Sequence, residues 1–545
     1  MAKKRKKSNF IIQGSILAMA GILVRIIGLV YRVWLNKILG NAGISAYSTA
    51  YDVYSLFLLI SSLSLPLAVS KIVSTRVAKR QMRNAYFAFI GAMILSAVLG
   101  LIVAAGVYFG ADWLADVWKF PSAALAIKVL APTLFIMCIL GVFRGFFQGL
   151  GTMIPTAVSQ IFEQIVNAVV SIIAAMALYK AGKKIGQATA YSAAGGTLGT
   201  ACGAFAALLF MFFVYFVYRG PFLEKVRKDK KGRRESFLTL SKVLAVTILP
   251  VLLSSTIYNI SSIIDSGIYG NIMTYVFGQK EADYNGYWGI YSNKYRLLTT
   301  APIAIASAFS SAMIPSLITS LMLGKKKELK KKVDSTIRLN MIIAIPCGVG
   351  LSVLAGPVIQ VLFPSPDLYE ECVLLMRLSF FSVVVFSLST ITNAILQGID
   401  KMKVPVINSS ISLALHIFII VFLLAVLKLN VYGVAIADII FGFVVCILNA
   451  CSIKKYLGYQ QKILKTFILP TIAAGIMGAG AYALNKLLFL MTGSAAFSLV
   501  CAIIFAVFLY GILLFLFNII NEDELRMIPK GYKLIPIVKK LGLMS

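Results

Sequence analysis

The sequence holds one histidine, His416, in 545 residues, and its 20 acidic residues are far outnumbered by 52 Lys and Arg. A single imidazole excludes a histidine-rich metal centre. No GxxxxGK[ST] run occurs, which excludes a P-loop that would couple ATP, and no GxSxG elbow occurs, which excludes that form of serine hydrolase. Charged residues of both signs make up only 13% of the chain. The cysteines (Cys138, Cys202, Cys347, Cys372, Cys446, Cys451 and Cys501) lie mostly in apolar runs at no metal-ligand spacing. They read as small packing residues, not as disulfides or zinc ligands. His416, set among Ser409, Ser410 and Ser412, likewise reads as a packing residue. No cofactor, metal or catalytic residue is expected.

What the chain has in quantity is apolar surface: 59% of its residues are hydrophobic, and the mean hydropathy is +0.89. Apolar stretches of roughly twenty residues recur along the whole length, which predicts an all-α polytopic membrane protein and excludes a β-barrel with its short alternating strands. Fourteen spans are expected, at about 10–38, 44–72, 84–110, 122–147, 154–179, 187–218, 237–269, 287–323, 335–363, 370–398, 404–428, 430–453, 464–489 and 494–520. The first is too long and lacks the small-residue site of a cleavable signal peptide. In a soluble protein the +32 formal charge would suggest nucleic acid, but here the cations sit in every second connection and in both tails. That positive-inside pattern excludes nucleic acid as the partner and places both termini in the cytoplasm. The intervening turns carry acids, as in ADWLADVW (111–118), QKEADYNG (279–286) and SPDLYEE (365–371); Lys180, Lys183 and Lys184 depart from the rule.

The basic stretch RGPFLEKVRKDKKGRRES (219–236) reads as a linker between an N-lobe, 1–218, and a C-lobe, 237–453. A repeat supports this division. RGFFQGLGTMIPTAVSQI (144–161) aligns with NAILQGIDKMKVPVINSSI (393–411) through Gln-Gly-aliphatic, Met and Pro, with one gap. The offset is six spans, so both copies keep one orientation, as in transporters whose halves are related by a pseudo-two-fold axis along the membrane normal. Spans thirteen and fourteen (464–520) stand outside the scheme, and the mixed charged and apolar tail 521–545 is expected to lie amphipathically on the cytoplasmic surface. Gly195, Gly199 and Gly203 on span six predict a close helix contact.

Polar groups inside spans need a reason, because Arg or Asp at the bilayer centre costs about 2.5 to 3.5 kcal/mol. Arg25 and Arg32 lie two turns apart on one face of span one, with Gly21 and Gly28. Span two carries Ser48, Tyr51, Asp52, Ser55 and Ser62; span seven Ser255, Tyr258, Asn259, Ser262, Asp265 and Ser266; span eight Asn293, Lys294, Arg296, Thr299, Thr300, Ser307 and Ser310. These four stripes are expected to face one water-filled cavity between the lobes. It stays net positive after plausible pairing, such as Arg32 with Asp52, so an anionic substrate is implied, and the arginine fork suits phosphate oxygens. Candidate substrate ligands are thus Arg25, Arg32, Arg296, Lys294, Asp52, Asn259 and Asn293. Arg144 of span four is expected to pair with Glu163 of span five, next to Gln160, Gln164, Asn167 and Ser171, and Arg377 with Asp438 in the other lobe. Such pairs serve lobe structure or gating. Asp265 and Asp438 are the acids to examine for a coupling cation.

PLAVSKIVSTR (66–76), RGFFQGLGTMIPTAVSQIFEQ (144–164) and YRLLTTAPIAIASAFSSAMIPSL (295–317), together with the arginine-bearing first helix, resemble the MurJ and SpoVB-like flippases of the multidrug/oligosaccharidyl-lipid/polysaccharide exporter superfamily, in their Gram-positive, Bacillus-type form. The resemblance covers nearly the whole chain. It implies a non-enzymatic carrier in the bacterial cell membrane that moves lipid II, the undecaprenyl-diphosphate-linked peptidoglycan precursor, to the outer leaflet by alternating access. It further implies a cavity lined by spans one, two, seven and eight, a lipid-tail groove at spans thirteen and fourteen, membrane lipids and the cell-wall synthesis machinery as partners, and a monomer. On the family pattern Arg25, Arg32 and Arg296 are the matching arginines. Two departures stand out: Asp52 is the only charge where other members have a span-two arginine, and Asn-Lys-Tyr-Arg (293–296) replaces their Asp-Arg pair. Alternatives are another undecaprenyl-diphosphate-linked glycan, a spore-cortex precursor, or a cation-coupled drug exporter, whose cavity should instead be acidic.

Overall fold

The computed structural model describes residues 2–59, 65–229, 260–305, 317, 320–321, 324–364 and 367–520. Ser62, Ser255, Tyr258, Asn259, Ser307, Ser310, linker residues 230–236 and the tail 521–545 lie outside them. Among the described residues every regular element is helical, and ten helices are long and apolar enough to cross a membrane. The chain divides into two compact units, Met1–Gly289 and Ile290–Ser545.

The first unit begins with α1, Ala2–Leu59, one helical run broken at Gly40, whose φ of 65° is a left-handed value that glycine adopts without penalty. There follow α2 (Leu65–Ala78), α3 (Met82–Phe109), α4 (Ala111–Val117), α5 (Ala124–Gly149), α6 (Ile154–Lys184), α7 (Ala188–Lys228), α8 (Ser261–Asn271) and α9 (Glu281–Gly289). On α6 the side chains of Val158, Phe162, Ile165, Val169, Ile173 and Met176 recur every three or four residues and are all exposed. A continuous apolar stripe of that kind faces lipid, since water would drive it inside. The opposite face of α6 meets α7 at backbone contact. A Cβ on Gly195 would lie 2.5 Å from the Ala174 carbonyl, one on Gly199 2.5 Å from the Ser171 nitrogen, and one on Gly203 2.6 Å from the Glu163 carbonyl. The glycine stripe is therefore what lets the two helices interlock. An aromatic cluster ties α3, α5 and α7 together: the Phe89 ring lies 4.4 Å from Phe146 and 5.5 Å from Tyr215.

The second unit comprises α10 (Lys326–Val353), α11 (Ala355–Leu362), α12 (Tyr369–Arg377), α13 (Ser379–Gly398), α14 (Lys403–Val421), α15 (Asn430–Leu457), α16 (Leu469–Thr492) and α17 (Ala495–Leu516), preceded by helical residues 290–305. The terminal pair α16–α17 is anchored on α10. Gly478 sits against Val349, the Tyr510 hydroxyl donates to the Ile342 carbonyl at 3.1 Å, and buried Arg338 donates to the Ile519 carbonyl just past the end of α17. A cation there satisfies carbonyls that a helix C-terminus leaves without intrahelical partners.

The two copies of the repeat have the same turn. After α5, Thr152 N–H reaches back to the Phe147 carbonyl (3.1 Å) and Gly151 N–H to Gln148 (2.9 Å); Gly151 has φ 88°. After α13, Lys401 N–H reaches back to Leu396 (3.0 Å) and Asp400 N–H to Gln397 (3.1 Å); Asp400 has φ 62°. Each helix thus ends on a left-handed residue with a long-reach bond that satisfies an orphan carbonyl, and a proline helps open the next helix.

Candidate functional site

Arg25 and Arg32 project from α1 before its break at Gly40. Arg25 is exposed, and Arg32 is partly buried. The guanidinium carbon of Arg32 lies 5.4 Å from the centroid of the Tyr51 ring. That aromatic face is one partner of Arg32 and Tyr31 is another, where the sequence suggested the Asp52 carboxylate. The reason is helical phase: Tyr47, Tyr51 and Tyr54 recur at four and three residues and build a ladder, with ring separations of 5.2 and 5.5 Å. Tyr31 extends it, its hydroxyl 3.4 Å from that of Tyr47. The spacing of these tyrosines was a signal available in the sequence, but attention to charges alone passes over it.

Behind the ladder stands a polar network on α6 and α7. The Tyr51 hydroxyl is 3.0 Å from Thr200 Oγ1, Thr200 Oγ1 is 3.5 Å from Asn167 Oδ1, and the Ser171 hydroxyl lies 2.9 Å from the same Asn167 oxygen and 2.8 Å from the Gly196 carbonyl. One turn away, Arg144 Nη2 contacts Glu163 Oε2 at 2.7 Å and its Nε donates to Ser159 Oγ at 3.0 Å. Arg144 is buried, and its charge is matched within the unit.

In the second unit the chain opens with a π-helical turn, Ile290–Tyr295, a widened turn that often marks a functional position. It buries Asn293 and Lys294, both at most 4% exposed. Lys294, expected near the outer end of span eight as a cation of the cavity, turns its ammonium to the Phe363 ring at 5.7 Å. Arg296, one residue past the turn, is partly exposed. The expected Arg377–Asp438 pair is not formed: Arg377 is exposed at the end of α12, where its backbone carbonyl accepts from Ser352 at 2.7 Å. Asp438 instead accepts a hydrogen bond from the Tyr291 hydroxyl. Opposite charge alone misled here, because α12 and α15 present those residues to different surroundings. His416 is fully buried beside Phe441, with a ring nitrogen within 4.8 Å of an Asp438 oxygen. Asp265, in the first unit, is 1% exposed on α8.

One assembly joins residues that no sequence motif links. The turn between α4 and α5 clasps the α8–α9 hairpin. Trp118 Nε1 donates to the Ile263 carbonyl at 2.9 Å, Asn271 Nδ2 donates to the Val117 carbonyl at 2.8 Å, and the Tyr284 hydroxyl donates to the Lys119 carbonyl. Ser122 binds Glu281 through its backbone N–H, 3.3 and 3.4 Å from the two carboxylate oxygens, and through its hydroxyl. Burial pushes the Glu281 carboxyl up from its ordinary value, against the opposing pull of these donors. Phe120 lies edge-on to Tyr284 at 5.4 Å, and Gly270 has no room for a side chain because a Cβ would fall 2.1 Å from the Trp118 carbonyl.

A family model described as polysaccharide biosynthesis protein matches residues 12–322, and one described as MatE matches residues 292–422. The chain is 26% identical over 492 residues to lipid II flippase MurJ of Bacillus subtilis (strain 168), covering 86% of this chain and 88% of that one. It is 25% identical over 530 residues to stage V sporulation protein B of the same organism, covering 96% and 98%. Among solved structures it resembles an inward-facing multidrug resistance MATE family transporter of the MOP superfamily, with TM-score 0.68 at 18% identity, covering 82% and 98%. It also resembles lipid II flippase MurJ in an inward closed conformation, with TM-score 0.66 at 15% identity, covering 91% and 97%. The chain belongs to the polysaccharide biosynthesis protein family, and it is a multi-pass bacterial membrane protein similar to MurJ and to stage V sporulation protein B.

Proposed function

We propose that the protein is a lipid II flippase that moves the undecaprenyl-diphosphate-linked precursor from the inner to the outer leaflet by alternating access. The observation that carries this reading is Arg32, a cation on the apolar helix α1 whose charge is met by the Tyr51 ring rather than by a carboxylate. Similarity to the B. subtilis flippase over 86% of the chain supports it. Arg25, Arg32 and Arg296 are the proposed diphosphate ligands, with Lys294, Asp52, Asn259 and Asn293 as polar neighbours of the substrate. Fourteen spans with both termini in the cytoplasm, in two six-span lobes, complete the proposal, and α16–α17 would offer the lipid tail its groove. Outward movement of negative charge is downhill when the cytoplasm is negative: a substrate carrying roughly two charges gains about 4 to 5 kcal/mol per 100 mV. Asp265 and Asp438 are the proposed acids for any coupling cation.

The test is transport of purified lipid II in proteoliposomes under an imposed potential, inside negative. Arg25→Ala, Arg32→Ala and Arg296→Ala, each inserted at normal levels, are expected to abolish appearance of lipid II on the outer face; near-normal transport by all three would refute the reading. The greater coverage of the match to stage V sporulation protein B favours one second reading, another undecaprenyl-diphosphate-linked glycan or a spore-cortex precursor. Failure to rescue a strain lacking its lipid II flippase, with diphosphate-lipid transport intact, would select it.

A further inference from the structure

The geometry points to Tyr51 as a positioning residue that holds the Arg32 guanidinium ready for an anionic ligand, anchored through Thr200 and Asn167 to the interlocked α6–α7 pair. The inference rests on the reading of Arg32 as a substrate ligand and adds the device that orients it.

Two buried or partly buried arginines of the first unit can be set side by side. Arg144 spends its donors on Ser159 and Glu163, so its fork is occupied by the protein. Arg32 meets a ring face at 5.4 Å, and a ring face balances a cation electrostatically without accepting its N–H donors. Tyr31 is within side-chain hydrogen-bond reach of Arg32, and the rest of the five-donor fork stays in position to take phosphate oxygens. Such a contact orients the arginine only if the ring itself is fixed. Tyr47 and Tyr54 flank the Tyr51 ring at 5.2 and 5.5 Å. Its hydroxyl is tied to Thr200 at 3.0 Å, and Thr200 to Asn167 at 3.5 Å. Asn167 and Thr200 sit where Gly199 and Gly203 press α6 and α7 into backbone contact, so the far end of the chain of contacts stands on tightly packed helices.

The experiment measures binding of undecaprenyl diphosphate, with undecaprenol as the uncharged control, to the full-length protein in nanodiscs. Tyr51→Leu removes the ring, Tyr51→Phe removes only the hydroxyl, and Thr200→Val removes the same hydroxyl link from α7. Tyr51→Leu is expected to weaken undecaprenyl diphosphate about five- to tenfold, the range of a partly desolvated cation–π contact. Tyr51→Phe and Thr200→Val should each weaken it roughly twofold to threefold, and the double variant no further, because both cut one link. Undecaprenol binding should stay unchanged throughout, and in an Arg32→Ala background Tyr51→Leu should have no additional effect. Equal loss for both lipids would mean a merely structural role and would overturn the proposal, as would unaltered diphosphate binding in Tyr51→Phe and Thr200→Val. If Arg32→Ala itself leaves diphosphate binding intact, the ligand assignment fails as well; if Arg32→Ala weakens it and the three tyrosine and threonine variants do not, only the positioning role fails.

Discussion

The turn from α5 to α6 and the turn from α13 to α14 follow one backbone course but are braced by different chemistry. In the first, Arg144 reaches across to Ser159 and Glu163. In the second, Asn393 stands at the place of Arg144, and the bracing is a set of amides: Asn449 Nδ2 donates to Asn393 Oδ1 at 2.8 Å and lies 3.0 Å from Thr392 Oγ1, while Asn408 Nδ2 donates to Asn449 Oδ1 at 2.8 Å. Buried polar groups must be satisfied inside a membrane, and either an ion pair or an amide network does so. What the two copies share is the backbone bond to the carbonyl five residues back and the left-handed residue before it. What they do not share is charge. The Arg144–Glu163 pair is thus one of two solutions to a structural need, which separates it from Arg32, whose partner is a ring.

The largest effect should come from breaking the ionic brace. Arg144→Met leaves the Glu163 carboxylate partly buried without its partner, a loss of about 3 to 5 kcal/mol for removing one member of a buried pair. Thermal unfolding in detergent should show it as a clear drop in Tm. Installing the second copy's chemistry, Arg144→Asn with Glu163→Leu, should recover most of that drop; no recovery would break the equivalence of the two turns. Asn449→Leu should cost about 1 to 3 kcal/mol, since it removes the donor to Asn393 Oδ1 and leaves Asn408 Nδ2 only its longer bond to Ser452 Oγ at 3.3 Å. Gly149→Ala should cost a similar amount, about 1 to 3 kcal/mol from overpacking, because a Cβ there would lie 2.7 Å from Val73 Cβ and 3.0 Å from the Ser70 carbonyl. The smallest effect is at the left-handed position. Asp400→Gly should raise Tm, by up to about 1 kcal/mol of relieved backbone strain, and Gly151→Asp should lower it comparably.

Much of the helical architecture was legible because it is periodic. Apolar runs mark α3, α5, α6, α15, α16 and α17 to within about five residues, whereas α7 runs ten residues past its expected end and α13 starts nine residues after its expected start; the Gln-Gly repeat marks the two related turns. Arg144 and Glu163 were legible as a pair because they flank one short turn, so proximity in sequence and in space coincide. The partner of Arg32 was not, since the carboxylate at 52 and the ring at 51 differ by 100° around one helix, and sign alone does not choose between them. Asp438 with Tyr291, 147 residues apart, and Trp118 with Ile263, 145 apart, leave no local trace: each residue looks ordinary until the chain has folded back.

That last contact sets a schedule for synthesis. Ser122 must wait for Glu281, 159 residues later, and at about 5 to 20 residues per second that delay is roughly 10 to 30 s. Through that interval Trp118 and the Ser122 donors wait with their later partners still unmade. A membrane insertase or chaperone that shields them would therefore act on the half-made chain, and the helices before α8 would reach their final packing only once α9 has left the ribosome.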